Sequence, residues 1–403
     1  MKIYDVIIIG SGPSGIFAAA NISRNKKILL LEKNKIIGQK FLMSGSGRCN
    51  ITNNENINNF SKRYGDNGNF LKFAFNEFNN IDTINYFKKR GLNMDIMENG
   101  KVFPNTQKSI DPLNILINEC KKIEIHLNEK VLKLEKFQEL YEINTNKCIY
   151  KSKSVIIATG GESYKITGST GDGYTFAKKL SHTIIKTRPA LSPIIIKNYN
   201  FKENSGMSFK NITFDLYRNE KKIFSKFGDL LFTHFGLSGP VILDNSRYFK
   251  VGDILKICFI DKKRDVITKE ILAYTEVNGS KTVKYYLKTL NLYDNLIKIL
   301  LDKNNIPLDL TLANLNKVSR KNLISDLVEY NFIIDKIGDF DIAMATAGGI
   351  DLKEINPKTM ESKLHKNLYF IGEILDIDGN TGGYNIQAAF STAYLAAKHI
   401  NNL

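Results

Sequence analysis

Three glycines near the N-terminus have the spacing of a phosphate-binding turn. Gly10, Gly12 and Gly15 follow an apolar segment and open an Ala-rich one, so the turn joins a predicted strand to a predicted helix. The first glycine permits the tight turn, the second lets a pyrophosphate approach the backbone, and the third allows the helix to pack on the strand. Glu32 ends the next apolar segment, where an acid can bind a ribose hydroxyl. The other residues assigned to this dinucleotide site are Ser11, Pro13, Ser14 and Lys33.

Two further turns favour FAD over NAD as the dinucleotide. Ala158 and the following Thr-Gly end a third apolar segment, as in the second nucleotide-contact turn of FAD-binding proteins of the two-dinucleotide type. Gly372 and Glu373 end a fourth, and their N–H and carboxylate groups can hold ribityl or phosphate oxygens. A Gly-Gly turn then opens the last predicted helix, whose free N–H groups can face the flavin. The other residues assigned to this part of the site are Val131, Thr159, Gly160, Gly382, Gly383, Tyr384, Asn385 and Ile386.

No second turn has the Gly-x-Gly-x-x-Gly spacing, because Gly168, Gly171 and Gly173 are spaced differently. A separate NAD(P)H domain is therefore not indicated. The sequence predicts dissociable, non-covalent FAD, with NAD(P)H only as a transient co-substrate. It also contains no His, Cys or Asp cluster with metal-ligand spacing.

A third glycine-rich segment adds candidates for the flavin and the substrate. Ser44, Gly45 and Gly47 offer unobstructed backbone N–H groups. Lys40 is a candidate contact for FAD phosphates or ribityl, and a solvated lysine is the alternative. Arg48 is a candidate to contact the flavin or to anchor a carboxylate or carbonyl of substrate, and a surface or structural ion pair is the alternative.

Three more residues of the chain invite a chemical role. Cys49 is assigned to the cofactor-binding segment, but it has no partner cysteine nearby, so we interpret its thiol as a buried packing group rather than a redox thiol. Asn50 is a candidate hydrogen-bond donor to the flavin edge or a turn-forming residue. His234 has the sequence context best suited to proton transfer among the five histidines, although its motif equally fits a helix start.

Four stretches resemble the bacterial family of NAD(P)/FAD-dependent oxidoreductases that includes aminoacetone oxidase-like proteins and the flavoprotein reductases of bile-acid dehydroxylation. They are Gly38–Asn53, Gly228–Pro240, Ala345–Ile350 and Gly379–Gln387. The resemblance runs from Asp5 to the C-terminus. It implies a Rossmann-like FAD-binding α/β domain interrupted by a β-rich and helical insert.

The distribution of predicted strands and helices along the chain agrees with such an insertion. Residues 1–188 and 336–403 read as one discontinuous FAD-binding domain, and 189–335 as an inserted substrate-side domain. Within the insert, 189–262 is predicted to form a small β-barrel and 263–330 several helices. We expect Ile51–Asn69 to be a polar loop and Asn69–Arg90 to be one helix.

Composition limits the function classes. The chain has 403 residues, 57 Lys and Arg against 41 Asp and Glu, and a net charge of +16. The lysines are spread along a chain rich in Lys, Asn and Ile, and no run reaches five basic residues, which argues against nucleic acid as a partner. The four cysteines and the absence of a long apolar run or signal peptide favour a cytoplasmic protein without a membrane span.

The sequence therefore favours an oxidoreductase that transfers hydride between FAD and a small organic substrate. Oxygen or NAD(P)H is expected as the second redox partner, so the activity is that of an amine oxidase or of a C=C reductase. A flavin-dependent RNA-modifying protein and a redox sensor without turnover are the alternatives. The substrate, the direction of the reaction and the oligomeric state stay open.

Overall fold

The structure is a computed structural model that describes residues 2–403. It divides into two compact units. Unit 1 comprises Met1–Leu191 and Asp339–Leu403, and unit 2 comprises Ser192–Gly338. Among the described residues, no helix is long and apolar enough to cross a membrane.

The N-terminal part of unit 1 contains ten strands and seven helices over residues 2–191. The strands are β1 (Ile3–Ile9), β2 (Ile28–Leu31), β3 (Thr52–Asn53), β4 (Met94–Ile96), β5 (Lys101–Pro104), β6 (Glu124–His126), β7 (Val131–Phe137), β8 (Leu140–Thr145), β9 (Ile149–Ile157) and β10 (Ile184–Ala190). The helices are α1 (Pro13–Asn21), α2 (Gln39–Met43), α3 (Ile57–Phe60), α4 (Lys72–Glu77), α5 (Asn80–Lys88), α6 (Ile110–Glu119) and α7 (Asp172–Lys179).

Unit 2 and the C-terminal part of unit 1 complete the chain. The strands of unit 2 are β11 (Ile194–Ile196), β12 (Ser208–Arg218), β13 (Lys221–Phe232), β14 (Gly236–Ser238), β15 (Ile254–Cys258) and β16 (Tyr330–Ile337). Its helices are α8 (Pro240–Leu243), α9 (Arg264–Asn278), α10 (Val283–Thr289), α11 (Asp294–Lys303) and α12 (Lys317–Val328). Unit 1 ends with β17 (Ala345–Ile350), β18 (Leu368–Phe370) and α13 (Tyr384–Asn401).

The main sheet of unit 1 aligns the ends of four parallel strands. Its order is β6-β2-β1-β9-β8-β7, and β18 also pairs with β9. In the register, Ile9 lies opposite both Leu31 and Ile157, and Phe370 lies opposite Ile157. The turns that follow β1, β2, β9 and β18 therefore leave the sheet at the same edge. In α/β folds this carboxyl edge is where ligands bind.

The apolar runs read from the sequence are the interior of this sheet. All of β2 and the last four residues of β1 are buried, as expected for parallel strands covered on both faces. Helix α13 packs along α1, with Phe17 stacked on Phe390 at a ring distance of 4.5 Å. A small sheet of order β3-β5-β4 and an antiparallel pair, β10 with β17, complete unit 1.

Unit 2 is a closed barrel with helices. The strand order is β11-β14-β13-β12-β15-β16, and β16 closes the barrel by pairing with β11. Alternate residues of β12 point inward: Ile212, Phe214 and Leu216 are buried. The same hydrophobic core includes apolar residues of α9 to α12. The predicted fold class, a Rossmann-like α/β domain with a barrel-like and helical insert, is confirmed.

Two local predictions in unit 1 were wrong. Residues 51–69 are not a plain loop, because they contain β3, α3 and short 3-10 turns. The single helix expected over Asn69–Arg90 is broken between α4 and α5. Asn79 caps the new helix by accepting from the N–H groups of Ile81 and Asp82, and the Asp82 carboxylate accepts the Asn79 N–H. This capping box stabilises a helix start at a point where the apolar spacing alone looks continuous.

Candidate functional site

The turn after β1 is specified by backbone contacts. A Cβ added to Gly10, whose φ is +100°, would lie 2.6 Å from the carbonyl oxygen of Ala158. One added to Gly15 would lie 1.9 Å from the carbonyl oxygen of Gly10. A Cβ at Gly12, by contrast, would meet nothing within 4 Å. Gly10 and Gly15 are therefore required by the protein's own packing, whereas the space beside Gly12 is open to a ligand.

Glu32 is held at the end of β2 by the same turn. It is only 7% exposed, and one carboxylate oxygen accepts both the backbone N–H of Ser11, at 2.9 Å, and its hydroxyl, at 2.6 Å. The other oxygen accepts the N–H of Asn34 at 2.8 Å. The neighbouring Lys33 forms an ion pair with Asp172 at 2.6 Å. Three donors thus orient the Glu32 carboxylate at the carboxyl edge of the sheet.

The turn after β18 contacts the beginning of α1. Gly372 has a φ of +72°, and a Cβ there would lie 2.6 Å from the hydroxyl oxygen of Ser14. Its N–H donates to the hydroxyl of Thr392 at 3.1 Å. Pro13 is the first residue of α1, so it occupies a position where no N–H is needed. The N-terminal N–H groups of α1 have no acceptor within the helix and lie beside the open space at Gly12.

Lys40 and Glu373 form a part-buried ion pair at this edge. The Lys40 ammonium lies 2.7 and 3.0 Å from the two Glu373 carboxylate oxygens and 2.6 Å from the Ser163 hydroxyl. Glu373 also accepts from the Ser163 hydroxyl, at 3.0 Å, and from the N–H of Thr346, at 2.9 Å. The side chains of Lys40 and Glu373 are 21% and 20% exposed. The two residues predicted separately are therefore parts of one polar network.

The turn after β9 is fixed by Thr346. Its hydroxyl accepts the N–H groups of Glu162, at 2.8 Å, and Ser163, at 3.1 Å. A Cβ at Gly161 would lie 2.4 Å from that hydroxyl oxygen. The hydroxyl of Thr159, in the same turn, is buried and has no hydrogen-bond partner among residues 2–403. Such an orphaned polar atom requires an explanation, and a hydrogen bond to a bound ligand is one.

Thr346 and Ser163 are the site residues that the sequence analysis missed. Ser163 follows the Gly-rich turn after β9, and Thr346 lies within the segment Ala345–Ile350, which was singled out only as a stretch of family resemblance. Glycine spacing marks where a chain turns, but it does not reveal which hydroxyl closes the turn. Only the three-dimensional arrangement brings Thr346 and Glu373 together.

The start of α13 is held in place by contacts with β3 and the residues beside it. Gly382 and Gly383 have φ values of +117° and +96°, and a Cβ at Gly383 would lie 2.4 Å from the Thr52 carbonyl oxygen. With its amide oriented to satisfy its partners, Asn50 accepts the N–H of Gly383 at 3.2 Å and donates to the carbonyl of Thr52 at 3.1 Å. The Asn50 side chain therefore supports the turn-forming alternative.

The remaining residues assigned around α13 and β7 are also placed. The Asn385 amide donates to the carbonyl of Gly379 and accepts its N–H, at 2.9 and 2.8 Å. The Tyr384 hydroxyl donates to Glu55 at 2.8 Å. Ile386 is half-buried, and Val131 begins β7 as a buried residue. Their contact with FAD stays a prediction.

The segment after α2 carries unusual backbone angles. Gly45, Ser46 and Cys49 have φ values of +57°, +57° and +62°. The left-handed conformation is strained for Ser46 and Cys49 and clusters at functional sites. The hydroxyl of Ser44 donates to the carbonyl of Phe41 at 2.7 Å, so it stabilises the end of α2. Ser46 and Gly47 are exposed.

Cys49 and Arg48 face different surroundings. Cys49 is fully buried, and burial raises the pKa of its thiol to about 12, so the thiol stays protonated near neutral pH. Arg48 is exposed, its guanidinium lies 4.9 Å from the ring centre of Phe103, and it donates to the carbonyl of Gly45 at 3.4 Å. No salt bridge involves Arg48 among residues 2–403. Its charge is therefore available to an anion or a carbonyl.

His234 lies in unit 2 and is exposed. Its turn is closed by a hydrogen bond from the Thr233 N–H to the Gly236 carbonyl at 2.9 Å. The helix start expected nearby is α8, whose N-cap is Gly239 with a φ of +90°. Nothing within residues 2–403 orients the His234 ring by a hydrogen bond. A catalytic role for His234 stays a prediction.

The residues of unit 1 fit a bound dinucleotide. The space at Gly12, the N-terminus of α1 and the orphaned Thr159 hydroxyl offer room and donors for phosphates and ribose. The Glu32 carboxylate is suited to ribose hydroxyls. Within residues 2–403, no cluster of three or more His, Cys, Asp or Glu side chains could hold a metal ion.

Similar proteins indicate the family. The family model for the HI0933-like protein Rossmann domain matches residues 4–399. The chain is 32% identical over 402 residues to a ribosomal RNA dihydrouridine synthase of Haemophilus influenzae, covering 98% of each chain. It is 30% identical over 407 residues to a ribosomal RNA dihydrouridine synthase of Escherichia coli, covering 99% of this chain and 98% of the other.

A third relative has a different substrate. The chain is 28% identical over 403 residues to a 3-dehydro-bile acid delta(4,6)-reductase of Clostridium scindens, covering 97% of each chain. The family model and these relatives each match nearly the whole chain rather than the turn after β1 alone. The chain therefore belongs to the HI0933-like Rossmann domain family, a family of FAD-binding oxidoreductases.

Proposed function

We propose that this protein is an FAD-dependent reductase that converts a uridine of ribosomal RNA into dihydrouridine. The observation that carries the proposal is similarity along the whole chain, at 32% and 30% identity, to two relatives with that name. From the sequence alone an RNA-modifying flavoprotein is only the alternative, because the chain lacks paired cysteines and a basic patch. Whole-length similarity outweighs those criteria, since it extends over both units.

The chemistry is reduction of a carbon–carbon double bond conjugated to a carbonyl. In uracil, the C5=C6 bond is conjugated to the C4 carbonyl. When bound, FAD in its reduced form supplies the hydride for this reaction. The π bond breaks, a C–H bond forms at C6 with the hydride, and a second C–H bond forms at C5 with a proton. Re-reduction requires a two-electron donor, for which NAD(P)H is the proposed class.

The third relative supports the same reaction type. A 3-dehydro bile acid with delta(4,6) unsaturation also carries double bonds conjugated to a carbonyl, so its reductase adds hydrogen to a similarly polarised bond. This shared chemistry favours a reductase over an amine oxidase. Reduction of a small unsaturated ketone is the second candidate, and the 28% identity to this relative supports it.

The chain's own residues supply binding and orientation. The α1 N-terminus and the space at Gly12 are suited to the pyrophosphate, and Glu32 to a ribose. The Lys40–Glu373 pair is suited to hold polar groups of the cofactor in place, because four elements of unit 1 fix its geometry. Arg48 is suited to a substrate carbonyl or phosphate, because its guanidinium is exposed and forms no described salt bridge.

The test uses the purified protein loaded with FAD. It is incubated with in vitro transcribed ribosomal RNA and NADPH or NADH, and the RNA is then digested and analysed by mass spectrometry. The expected product is a nucleoside with two more hydrogen atoms than uridine, formed only with donor, protein and RNA together. The parallel reaction replaces RNA with a 3-oxo-4,6-diene steroid acid. Steroid reduction without dihydrouridine would overturn the RNA proposal in favour of the second candidate.

A further inference from the structure

Two acid-free segments of unit 2 concentrate its positive charge. Residues 277–293 and 310–325 together contain six cationic residues and no Asp or Glu. The rest of unit 2 contains 17 cationic and 16 acidic residues. The net charge of +7 on unit 2 therefore comes almost entirely from these 33 residues. The cationic residues of this surface, which we call the α10–α12 surface, are Lys281, Lys284, Lys288, Lys317, Arg320 and Lys321.

The two segments are joined in space by backbone hydrogen bonds. The N–H of Val283 donates to the carbonyl of Leu310 at 2.9 Å, and the N–H of Leu312 donates to the carbonyl of Lys281 at 2.9 Å. Residues 282 and 311 form an antiparallel bridge. The folded chain thus combines basic residues that are about 30 positions apart in the sequence. A search for contiguous basic runs cannot detect such a surface.

Helix α10 presents its basic residues at helical spacing. Lys284 and Lys288 are i and i+4 neighbours on one side of α10, and Lys281 directly precedes the N-cap residue Thr282. The opposite face is buried through Val283, Tyr286 and Leu287. The positive face is therefore directed to solvent by the packing of the apolar one.

An exposed aromatic ring lies among these cations. Tyr285 is 49% exposed, and the Lys281 ammonium lies 5.3 Å from the centre of its ring. A ring beside a cation can stack on an unpaired base while the cation contacts a phosphate, which is a common arrangement in proteins that bind single-stranded nucleic acid.

Helix α12 adds the other three cations. Lys317, Arg320 and Lys321 lie in its first two turns, and Asn316 caps it by accepting the N–H of Ser319 at 2.8 Å. The positive end of the helix dipole is thus on the same side as the cations. The acids that border the two segments in sequence are Glu276, Asp294, Asp309 and Asp326. Asp294 pairs with Lys288 at 2.9 Å, and Asp326 pairs with Lys303 at 2.6 Å.

We propose that the α10–α12 surface binds the phosphodiester backbone of the RNA substrate, with Tyr285 stacking on an unpaired base. The inference rests on the proposed function, and it assigns RNA affinity to unit 2. Lys281 and Lys284 form no salt bridge within residues 2–403, and Lys281 lies beside the exposed Tyr285 ring. Such cations suit a flexible polyanion with bases better than they suit a folded acidic protein. An anionic membrane is the competing polyanion, because Val277 and Val318 are exposed apolar residues of the same segments.

The test measures RNA affinity separately from catalysis. The FAD-loaded protein is titrated against a fluorescein-labelled single-stranded ribosomal RNA fragment at several salt concentrations. The test variant is Lys281→Gln with Lys284→Gln and Lys321→Gln, three lysines that form no salt bridge within residues 2–403. The control is Lys250→Gln with Lys269→Gln and Lys298→Gln, which removes the same charge from exposed lysines of unit 2 that each lie within four residues of an acid.

The salt dependence distinguishes backbone contacts from general charge. Each lost phosphate contact lowers the slope of log affinity against log salt by about 0.7 for single strands. The test variant should therefore lose about 2 from the slope and bind about tenfold more weakly near 0.1 M salt. The control should stay within about twofold of the wild type. Equal losses in test variant and control would overturn the inference.

Two further measurements separate the possible failures. Tyr285→Ala should weaken binding while Tyr285→Phe retains it, because stacking needs the ring and not the hydroxyl. In a parallel arm, binding to phosphatidylglycerol vesicles that depends on the three lysines, with no effect on RNA, would assign the surface to membranes and overturn the RNA inference. Wild-type protein that binds RNA through this surface but forms no dihydrouridine would contradict the proposed function alone.

Discussion

The glycine-rich edge of unit 1 and the α10–α12 surface of unit 2 are built on opposite principles. In unit 1, Gly10 and Gly15 lie against backbone carbonyls, so the shape of the turn leaves no room for a side chain. In unit 2, the features of interest are long side chains on helix exteriors, and none of them determines the path of the chain. The glycine-rich edge depends on an exact backbone shape, whereas the α10–α12 surface depends only on how many positive charges it carries.

This difference predicts two kinds of response to mutation. Substitutions at the glycine-rich edge of unit 1 should have either a large effect or almost none, because one added methyl group either fits the packed turn or does not. Changes on the α10–α12 surface should act in proportion to the number of charges removed, since exposed cations contribute separately to polyanion binding. The predictions below test this contrast, beginning with the largest expected effect.

Two alanine substitutions in one turn should separate folding from cofactor binding. Gly15→Ala forces a Cβ to within 1.9 Å of the Gly10 oxygen, so we expect a loss of several kcal/mol and little soluble protein. Gly12 has φ −63° and ψ −178°, which alanine adopts readily, and its Cβ meets nothing. Gly12→Ala should therefore leave the melting temperature of the apoprotein unchanged and lower the affinity for FAD at least about tenfold.

The measurements are flavin absorbance per mole of purified protein and thermal unfolding of the FAD-stripped protein. Serine at position 12 serves as a second variant of similar size. If Gly12→Ala retained full FAD, the open space beside Gly12 would not be where the pyrophosphate binds. The contrast between the two glycines would then reflect packing alone.

The Lys40–Glu373 pair should show strong coupling. Glu373→Gln leaves the part-buried Lys40 ammonium without its counter-charge, so we expect destabilisation of about 2 kcal/mol and weaker FAD binding. Lys40→Met should restore part of that loss when it is combined with Glu373→Gln, because the unpaired charge is then removed. Denaturant unfolding of the two single variants and the double variant measures the coupling. Additive losses would show that the pair does not act as a unit.

A smaller, pH-dependent effect is expected at Glu55. The hydrogen bonds from Arg63 lower the pKa of Glu55 below its usual value of 4.5, and the Tyr384 hydroxyl adds to this against the effect of burial. A group whose pKa is lower in the folded than in the unfolded state stabilises the protein above the unfolded value, here 4.5. That stabilisation is lost as the pH falls through the folded-state pKa. Glu55→Gln should therefore destabilise by about 1 kcal/mol at pH 7, discounted for the half-exposed Arg63.

Unfolding experiments on both proteins from pH 7 to pH 3 measure this difference. The gap between wild type and Glu55→Gln should close as the pH falls below about 4. A gap that stayed constant would mean that lost packing, rather than the charge of Glu55, accounts for the destabilisation. Arg63→Gln is the matched control, because it removes the other partner and should converge over the same pH range.

The smallest effect is expected from one surface lysine. Lys284→Gln alone should lower the salt slope of RNA binding by about 0.7 and weaken affinity a few-fold, without changing the melting temperature. Anisotropy titrations and thermal unfolding measure the two quantities. An all-or-none loss of binding from this single change would break the contrast between the two regions.

The fold was predictable from the sequence because its signals are local. Apolar runs ended by glycines, as at Ile9 with Gly10, mark parallel strands and their turns, and the strand register then aligns those turns. The capping box of Asn79 and Asp82 was also present in the sequence, but continuous apolar spacing concealed it. The order of the barrel strands was not predictable, since pairings such as β11 with β16 join distant segments.

The site was only partly predictable because side-chain networks are tertiary. Lys40 and Glu373 were each recognisable from their motifs, but they are 333 positions apart and meet only in the folded chain. Thr346 carried no signal beyond its glycine-rich neighbourhood. The charge of the α10–α12 surface was visible only as a total, since hydrogen bonds between 279–283 and 310–313 determine where it accumulates.

The interrupted chain of unit 1 has a consequence for its synthesis. Unit 2 is one continuous segment, whereas unit 1 needs β17, β18 and α13 from the last part of the chain. At about 5–20 residues per second, a ribosome would take on the order of 20–75 s to pass from the turn after β1 to the start of α13. During that interval the barrel can fold as it emerges, while β9 lacks its partner strand β18 and α1 lacks its packing partner α13. Until those C-terminal elements are synthesised, apolar surface of unit 1 stays uncovered, and such surface is prone to aggregation.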